Sequence, residues 1–306
     1  SKIKANASKH KAMSYARMQR SEEELRREVE RLLADAERTD REEDRLYSDK
    51  RGDELPDELS FREGRLKKIR EAKAALEREA KEEAEREVRR QEERTREREK
   101  KEAAQGRRFG GHPPRIPDPK KAVPKQTKQK NFTDPESCIM PDGSTGGFIQ
   151  AYNAEVAVDE AHQVIVGCTL SSQPNDSLAF LPLLGEINTQ CGRLPEKVSA
   201  DSGFYSQGGV REAESRGTRC YVPPPRRSTD PTAADMREKL RSPEGADLYR
   251  RRKAVVEPVF GQIKQARGFR QFSFRGLAAV RDEWCLICLG HNLLKLFRSG
   301  TCVIPA

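Results

Sequence analysis

The spacing of hydrophobic positions divides the chain into stretches of different character. Between Ser21 and Arg107, Glu, Arg, Lys and Ala dominate, and the few large apolar residues recur at helical spacing. Leu25, Val29, Leu32 and Leu33 make one short stripe. Leu66, Ile69, Ala72 and Leu76 make a second, each wide enough for one packed face. Ser21 with Glu24, and Ser60 with Glu63, match the capping-box pattern and predict helix starts there, the second helix running from near Phe61. Gly52 and Pro56 in "RGDELPDEL" break the pattern between the two stripes. Beyond Leu76 large apolar side chains nearly vanish, so the expected antiparallel hairpin or loose coiled coil has a solvated far end held by i,i+4 charge pairs. Residues 106–131, rich in Pro, Lys and Arg, read as a linker without regular structure.

From Asn131 the pattern becomes globular. "GGFIQAYNAEVAV" alternates as a strand, "DEAHQ" is a polar turn, and "VIVGCTLS" is a second strand, which together predict a hairpin. Asp176 is expected to cap a helix carrying Leu178, Leu181, Leu184 and Ile187. A short strand in "KVSADS", a helix near "GGVREAESRG" and a short strand in "TRCYVPP" come next. A polar loop with prolines then leads to two final helices, at about 246–265 and 277–298. Strands alternating with helices predict an α/β fold, a mixed sheet covered by helices. The segments are 1–20, a remnant of a first strand with the short stretch after it; 21–107, the charged helical insertion; 108–136, the linker; and 137–300, the globular domain.

Composition narrows the partners. Only 34% of the chain is hydrophobic and 36% is charged, so one core cannot span all of it. The net charge of +9 favours a polyanionic partner, nucleic acid or an anionic membrane. No apolar run reaches the roughly 18 residues of a spanning helix. Seven cysteines, an odd number and scattered, suit reduced thiols in a cytoplasmic protein rather than a disulfide framework. Cys285, Cys288 and His291 have a ligand-like spacing, but they sit in a long apolar helix with no fourth ligand, where buried thiols act as small hydrophobes.

Two carboxylates stand apart by context. Asp201 comes after an apolar strand in "VSADSGFYS", at the end of a strand where α/β sheets place reactive groups. Glu257 in "LYRRRKAVVEPVFGQIK" lies among Val255, Val256, Val259, Phe260 and Ile263, with Lys253 four residues before and Lys264 seven after. Pro258 is expected to bend that helix one residue past the acid. Two acids in a basic chain without a cofactor loop suggest a Mg²⁺ or Mn²⁺ phosphodiester site, which usually needs a third carboxylate.

The segments "KIKANASKHKAMSY", "NFTDPES", "GGFIQAYNAEVAVD", "QPND", "ADSGFYS", "VVEPVFGQIKQARGFRQFSFRGL" and "EWCLICLGHNLLKLF" resemble, in this order, bacterial insertion-sequence transposases of the DDE class. The likeness covers about the first fifteen residues and most of the chain after Asn131. It implies a ribonuclease-H-like domain that cuts DNA at transposon ends and joins 3′-hydroxyls to a target, in the nucleoid of a bacterium. It also implies a two-metal site with Asp201 as second acid and Glu257 as third. Tyr249, Arg252 and Lys264 would form the DNA-contacting signature around that glutamate. Arg252 stands one residue further from Glu257 than in many relatives, so Lys253 is the other candidate for its place. The first acid of such relatives lies in an Asp-Gly-Thr/Ser-Lys-Ile-like run, two residues ahead of the position that Ser1 occupies. The resemblance therefore implies an N-terminally truncated and inactive form, with DNA as partner, a homodimer allowed, and no small-molecule cofactor. Asp159 is the only substitute in the globular half, and its place in a hairpin turn argues against it. The rival expectation is a non-enzymatic DNA-binding or coiled-coil protein derived from a transposase.

Overall fold

The computed structural model describes residues 1–46, 57–106, 110, 116–142, 146–228 and 230–299. Two compact units result: Ala12–Phe132, and Ser1–Lys11 together with Thr133–Ala306. Among the described residues no helix is long and apolar enough to cross a membrane.

In the first unit, helices α1 (Tyr15–Leu46) and α2 (Asp57–Gln105) pair antiparallel. Met18, Leu25, Leu66, Ile69 and Leu76 form the buried seam. Glu22 bonds Arg70 and Lys73, and Glu28 bonds Arg62, along its edges. The α2 stripe is the packed face, whereas of the α1 stripe Leu25 and Val29 are buried and Leu33 is exposed; both helices start earlier than the capping boxes indicate. Ser21–Glu24 lies inside α1, because Lys128 and Gln126 offer carbonyls to the Tyr15 and Ala16 amides and so satisfy the helix start. Ser60–Glu63 likewise lies inside α2. The break at Gly52 and Pro56 falls outside the described residues. The linker is more ordered than its prolines suggest. Strand β2 (Ala12–Ser14) pairs with β3 (Gln129–Asn131), and Pro119–Lys121 forms a 3-10 turn capped by Asp118.

The second unit is built on β5 (Phe148–Val158), the long strand of the predicted hairpin. β1 (Lys2–Lys4), β4 (Cys138–Pro141) and β6 (Ile165–Ser171) all pair with it antiparallel. Ala151 opposes both Lys4 and Cys138, and Asn153 opposes both Lys2 and Ser171. β1 therefore lies along one edge of β5, while β4 and β6 share the other. After α3 (Phe180–Cys191), a separate two-stranded parallel sheet forms from β7 (Lys197–Ser199) and β8 (Arg219–Tyr221), with α4 (Gln207–Ser215) between them. The chain closes with α5 (Pro231–Arg241), α6 (Pro243–Gly261), a π-helical turn at Gln262–Ala266, and α7 (Leu277–Arg298).

Alternation along β5 sends side chains to two cores. Tyr152, Ala154 and Val156 join Ile3, Val259, Ile263, Phe272 and Trp284 on one face. Ala157 packs toward Phe180, Leu184, Val210, Val222 and Met236 on the other.

Two expectations change here. The stretch read as a proline-containing loop holds α5, capped by Asp230 bonding the Ala233 amide at 2.8 Å, with Pro231 in the first turn. α6 starts at Pro243 rather than 246, because Ser242 caps it through the Gly245 amide at 3.1 Å. Pro258 does not end α6. It removes the amide that would bond the Ala254 carbonyl, and the Gln163 side chain supplies that bond instead at 3.1 Å. Of the ligand-like trio in α7, Cys288 and His291 are buried and Cys285 is exposed. His291 is buried and bonds the Gln163 carbonyl at 3.0 Å, and Cys285 lies 3.8 Å from Cys168.

Candidate active site

Asp201 stands two residues past the end of β7 and caps the 3-10 turn Ser202–Phe204, its Oδ1 accepting from the Gly203 amide at 3.0 Å. Its other oxygen faces Arg252 of α6, Oδ2 to Nη1 3.8 Å. The guanidinium also lies over the Tyr249 ring, 5.2 Å from its centroid. The Arg252 Nε is buried and has no hydrogen-bond partner. Tyr249, Arg252 and Asp201 thus form one contiguous group, joining strand end to helix across a sequence gap that no periodicity bridges.

Glu257 is exposed rather than embedded among valines. Val256, Val259, Phe260 and Ile263 have i, i+3, i+4, i+7 spacing and turn inward, which leaves residue 257 about 100° around the helix. Glu257 still lines, with Asp201, Arg252 and Lys253, a cavity of about 870 Å³ between β5, β7, α3 and α6. Ser1, Lys2, Glu155 and Asp176 line the same cavity.

Lys264 falls in the π-helical turn and points to β1. Its Nζ donates to Ser1 Oγ at 2.6 Å and to the Lys2 carbonyl at 2.8 Å. Burial holds its pKa below the ordinary lysine value.

Asp176 is the residue whose position the pattern misjudged. The cap of its turn is Asn175, which bonds the Ser177 amide at 3.1 Å. The Asp176 carboxylate instead accepts from Lys2 Nζ at 3.0 Å and Asn153 Nδ2 at 2.6 Å. A side chain at Gly203 would begin 3.0 Å from Asp201 Oδ1 and 3.1 Å from Asp176 Oδ2, so the two acids crowd one glycine. Burial works to raise the Asp176 carboxyl, but the bonds from Lys2 and Asn153 outweigh it and hold it below the usual aspartate range. The Asn-Asp pair in "QPND" was the available signal, since an Asn that can cap releases the next carboxylate for other work. Asp159 is a turn residue as expected, its Oδ2 accepting from the His162 amide at 2.9 Å.

The match that bears on this arrangement lies in the C-terminal quarter. Residues 223–297 fit the family model described as a transposase DDE domain. The match supports a DDE-type transposase function. The matched span contains α5, α6, the π-helical turn and α7 up to its last residue, and with them Tyr249, Arg252, Lys253, Glu257 and Lys264, while Asp201 lies before it. No curated protein and no solved structure matches the chain.

Transposases of this kind generally use a divalent metal. The acids present are hard oxygen donors of the right type. Among the described residues, however, no group of three or more His, Cys, Asp or Glu side chains could hold an ion. Asp201 is engaged with Gly203 and Arg252, and Asp176 with Lys2 and Asn153. The donor set is therefore incomplete as it stands.

Tyr205 closes the 3-10 turn after Asp201 and donates its hydroxyl to Asp230 Oδ1 at 3.1 Å. Burial first, then the bond to Asp230, pushes its pKa up to about 12. An unfolded tyrosine titrates near ~10, so the folded state favours the neutral phenol. The stabilisation is complete below about pH 10 and is lost as pH rises through the folded value. Urea denaturation of wild type and Tyr205→Phe at several alkaline pH values checks this. The gap in stability should be widest below pH ~10 and should close toward the folded value; a gap independent of pH would refute the assignment.

Proposed function

We propose that the chain is the catalytic part of a DNA transposase with a ribonuclease-H-like sheet. Asp201 and Glu257 are two of the three carboxylates that would hold Mg²⁺ or Mn²⁺ for strand cleavage and transfer. The observation that carries this reading is the convergence of both acids on one cavity, from a strand end and from the helix inside the matched span. Bound divalent ions would supply activation of a water or 3′-hydroxyl and stabilisation of the leaving oxygen. Arg252, Lys253 and Tyr249 stand beside the acids, where DNA phosphates would approach. Lys264 supports the site by fastening β1 through its two bonds.

Nicking of supercoiled plasmid in Mn²⁺ tests the reading. Asp201→Asn and Glu257→Gln should each lower the rate at least ~100-fold. A rate unchanged by both substitutions would refute the role of the two acids. DNA retention with no nicking would favour a non-enzymatic DNA-binding protein.

A further inference from the structure

Where β6 meets α7, three thiols from distant parts of the chain come together. Cys168 stands opposite Val156 in the β5–β6 pairing and packs, half-buried, at the margin of the core that holds Trp284 and Ile287. Cys285 and Cys288 lie three residues apart on α7, so they are neighbours on one side of the helix. The Cys168 and Cys285 sulfurs are 3.8 Å apart although 117 positions separate them in sequence, and Cys288 also bonds Cys168. Bonds outside the cluster fix helix and sheet around it. The Asn292 side chain bonds the Ile165 amide and carbonyl, each at 2.8 Å, and the Trp284 indole N–H reaches the Glu155 carbonyl at 3.4 Å.

The three thiols differ in exposure and in charge. Cys285 is exposed, and Cys288 is buried. The hydrogen bond from Cys288, helped by that from Cys285, holds Cys168 below the ordinary cysteine pKa against burial and the Glu186 carboxylate of α3. Burial, and after it the charge on Cys168, pushes Cys285 up, with Glu186 and Asp282 acting in the same sense. The bond that Cys288 gives to Cys168, and after it burial, pushes Cys288 up, opposed by Arg267. One thiolate thus stands between two protonated thiols, one open to solvent and one closed to it.

We propose that Cys168 and Cys285 form a peroxide-reactive dithiol site whose product is an intrachain disulfide between β6 and α7. The Cys168 thiolate attacks one oxygen of a hydroperoxide. The S–O bond forms, the O–O bond breaks, and the leaving hydroxide takes a proton to become water. The sulfur is oxidised to a sulfenic acid and the peroxide is reduced. That step also removes the negative charge that kept Cys285 protonated. Cys285 then loses its proton and attacks the Cys168 sulfur. The S–S bond forms, the S–O bond breaks, and the hydroxide leaves with that proton as a second water. Bonded sulfurs lie about 2.0 Å apart, so the pair draws together by less than ~2 Å. Cys288 bonds to neither oxygen nor sulfur; it is a positioning residue that keeps Cys168 ionised. The bridge closes a loop that contains both Asp201 and Glu257, and a long closed loop restricts the unfolded chain. The inference stands on thiol geometry and not on the transposase reading, so its test involves neither metal nor DNA.

Fully reduced residues 1–306 are treated with one equivalent of hydrogen peroxide near pH 7, alkylated, and mapped by mass spectrometry without reduction. The expected product is a peptide pair linked through Cys168 and Cys285, with a raised Tm that dithiothreitol returns to its starting value. Cys285→Ser should abolish the link and leave Cys168 as a sulfenic acid that dimedone traps. Cys288→Ala should slow peroxide consumption near pH 7 by ~3-fold or more and change it little near pH 9.5, where Cys168 ionises without help. Equal slowing at both pH values would overturn the role of Cys288, since lost packing alone acts at every pH. A link from Cys168 to Cys288 or to any other cysteine would overturn the proposal, as would the absence of an intrachain disulfide. The map of the unsubstituted chain decides this even where a variant fails to fold.

Discussion

Trp284→Ala should destabilise the α/β unit by roughly 3–5 kcal/mol, the usual cost of emptying a fully buried indole site. Trp284 is fully buried on α7, stacked on Phe260 of α6 at 6.3 Å between ring centroids and edge-on to Phe272 at 6.4 Å. Its indole N–H reaches the Glu155 carbonyl at 3.4 Å, so one side chain ties α7, α6 and β5 together. The neighbours cannot collapse into the space, because Tyr152 already holds Phe272 in an edge contact at 6.1 Å. Since Phe260 is less than one turn from Glu257, the substitution also loosens the helix that carries the acid. Urea denaturation monitored by circular dichroism measures the change, as a lower midpoint at similar slope. A loss below ~1 kcal/mol would show that the indole is not central to this core.

Tyr152→Phe should cost about 2–3 kcal/mol without creating a cavity, since only the hydroxyl is lost. That hydroxyl is buried and donates toward both oxygens of Asp134, each 2.9 Å away, and Asp134 is itself fully buried. Asp134 Oδ1 also accepts from the Gly276 amide at 3.2 Å, and Glu136 accepts from Leu277 at 2.7 Å. These two acids sit at the N-terminal end of α7, where negative charge is favoured. Removing the phenol leaves a buried carboxylate with fewer donors, which costs more than an ordinary hydrogen bond. The variant should also speed amide exchange at Gly276. A stability within ~0.5 kcal/mol of wild type would mean that other donors satisfy Asp134. Burial, and after it the Asp134 bond, raises the Tyr152 pKa above the tyrosine range, so wild type should lose stability more steeply than the variant as pH rises above ~10.

Local pattern determined much of this protein. The apolar stripes of α1 and α2, the β5–β6 hairpin and the bounds of α7 come from periods of 3.6 and 2, because burying one face is a local demand on each element. Asp201 and Glu257 were legible as unusual acids for the same reason, each being polar where its surroundings are apolar. Only the tertiary structure decided how they are used. Glu257 is exposed because four neighbours at i, i+3, i+4 and i+7 claim the buried face, and a helix has only one such face here. Asp176 left its expected capping role because Asn175 took it, and Lys2 and Asn153 come from strands far away in sequence. The start of α1 depends on carbonyls more than 100 residues distant, and the course of α6 past Pro258 on the amide of Gln163. The cavity between β5 and β7 has no local signature at all, since its walls exist only once the strands have been placed in space.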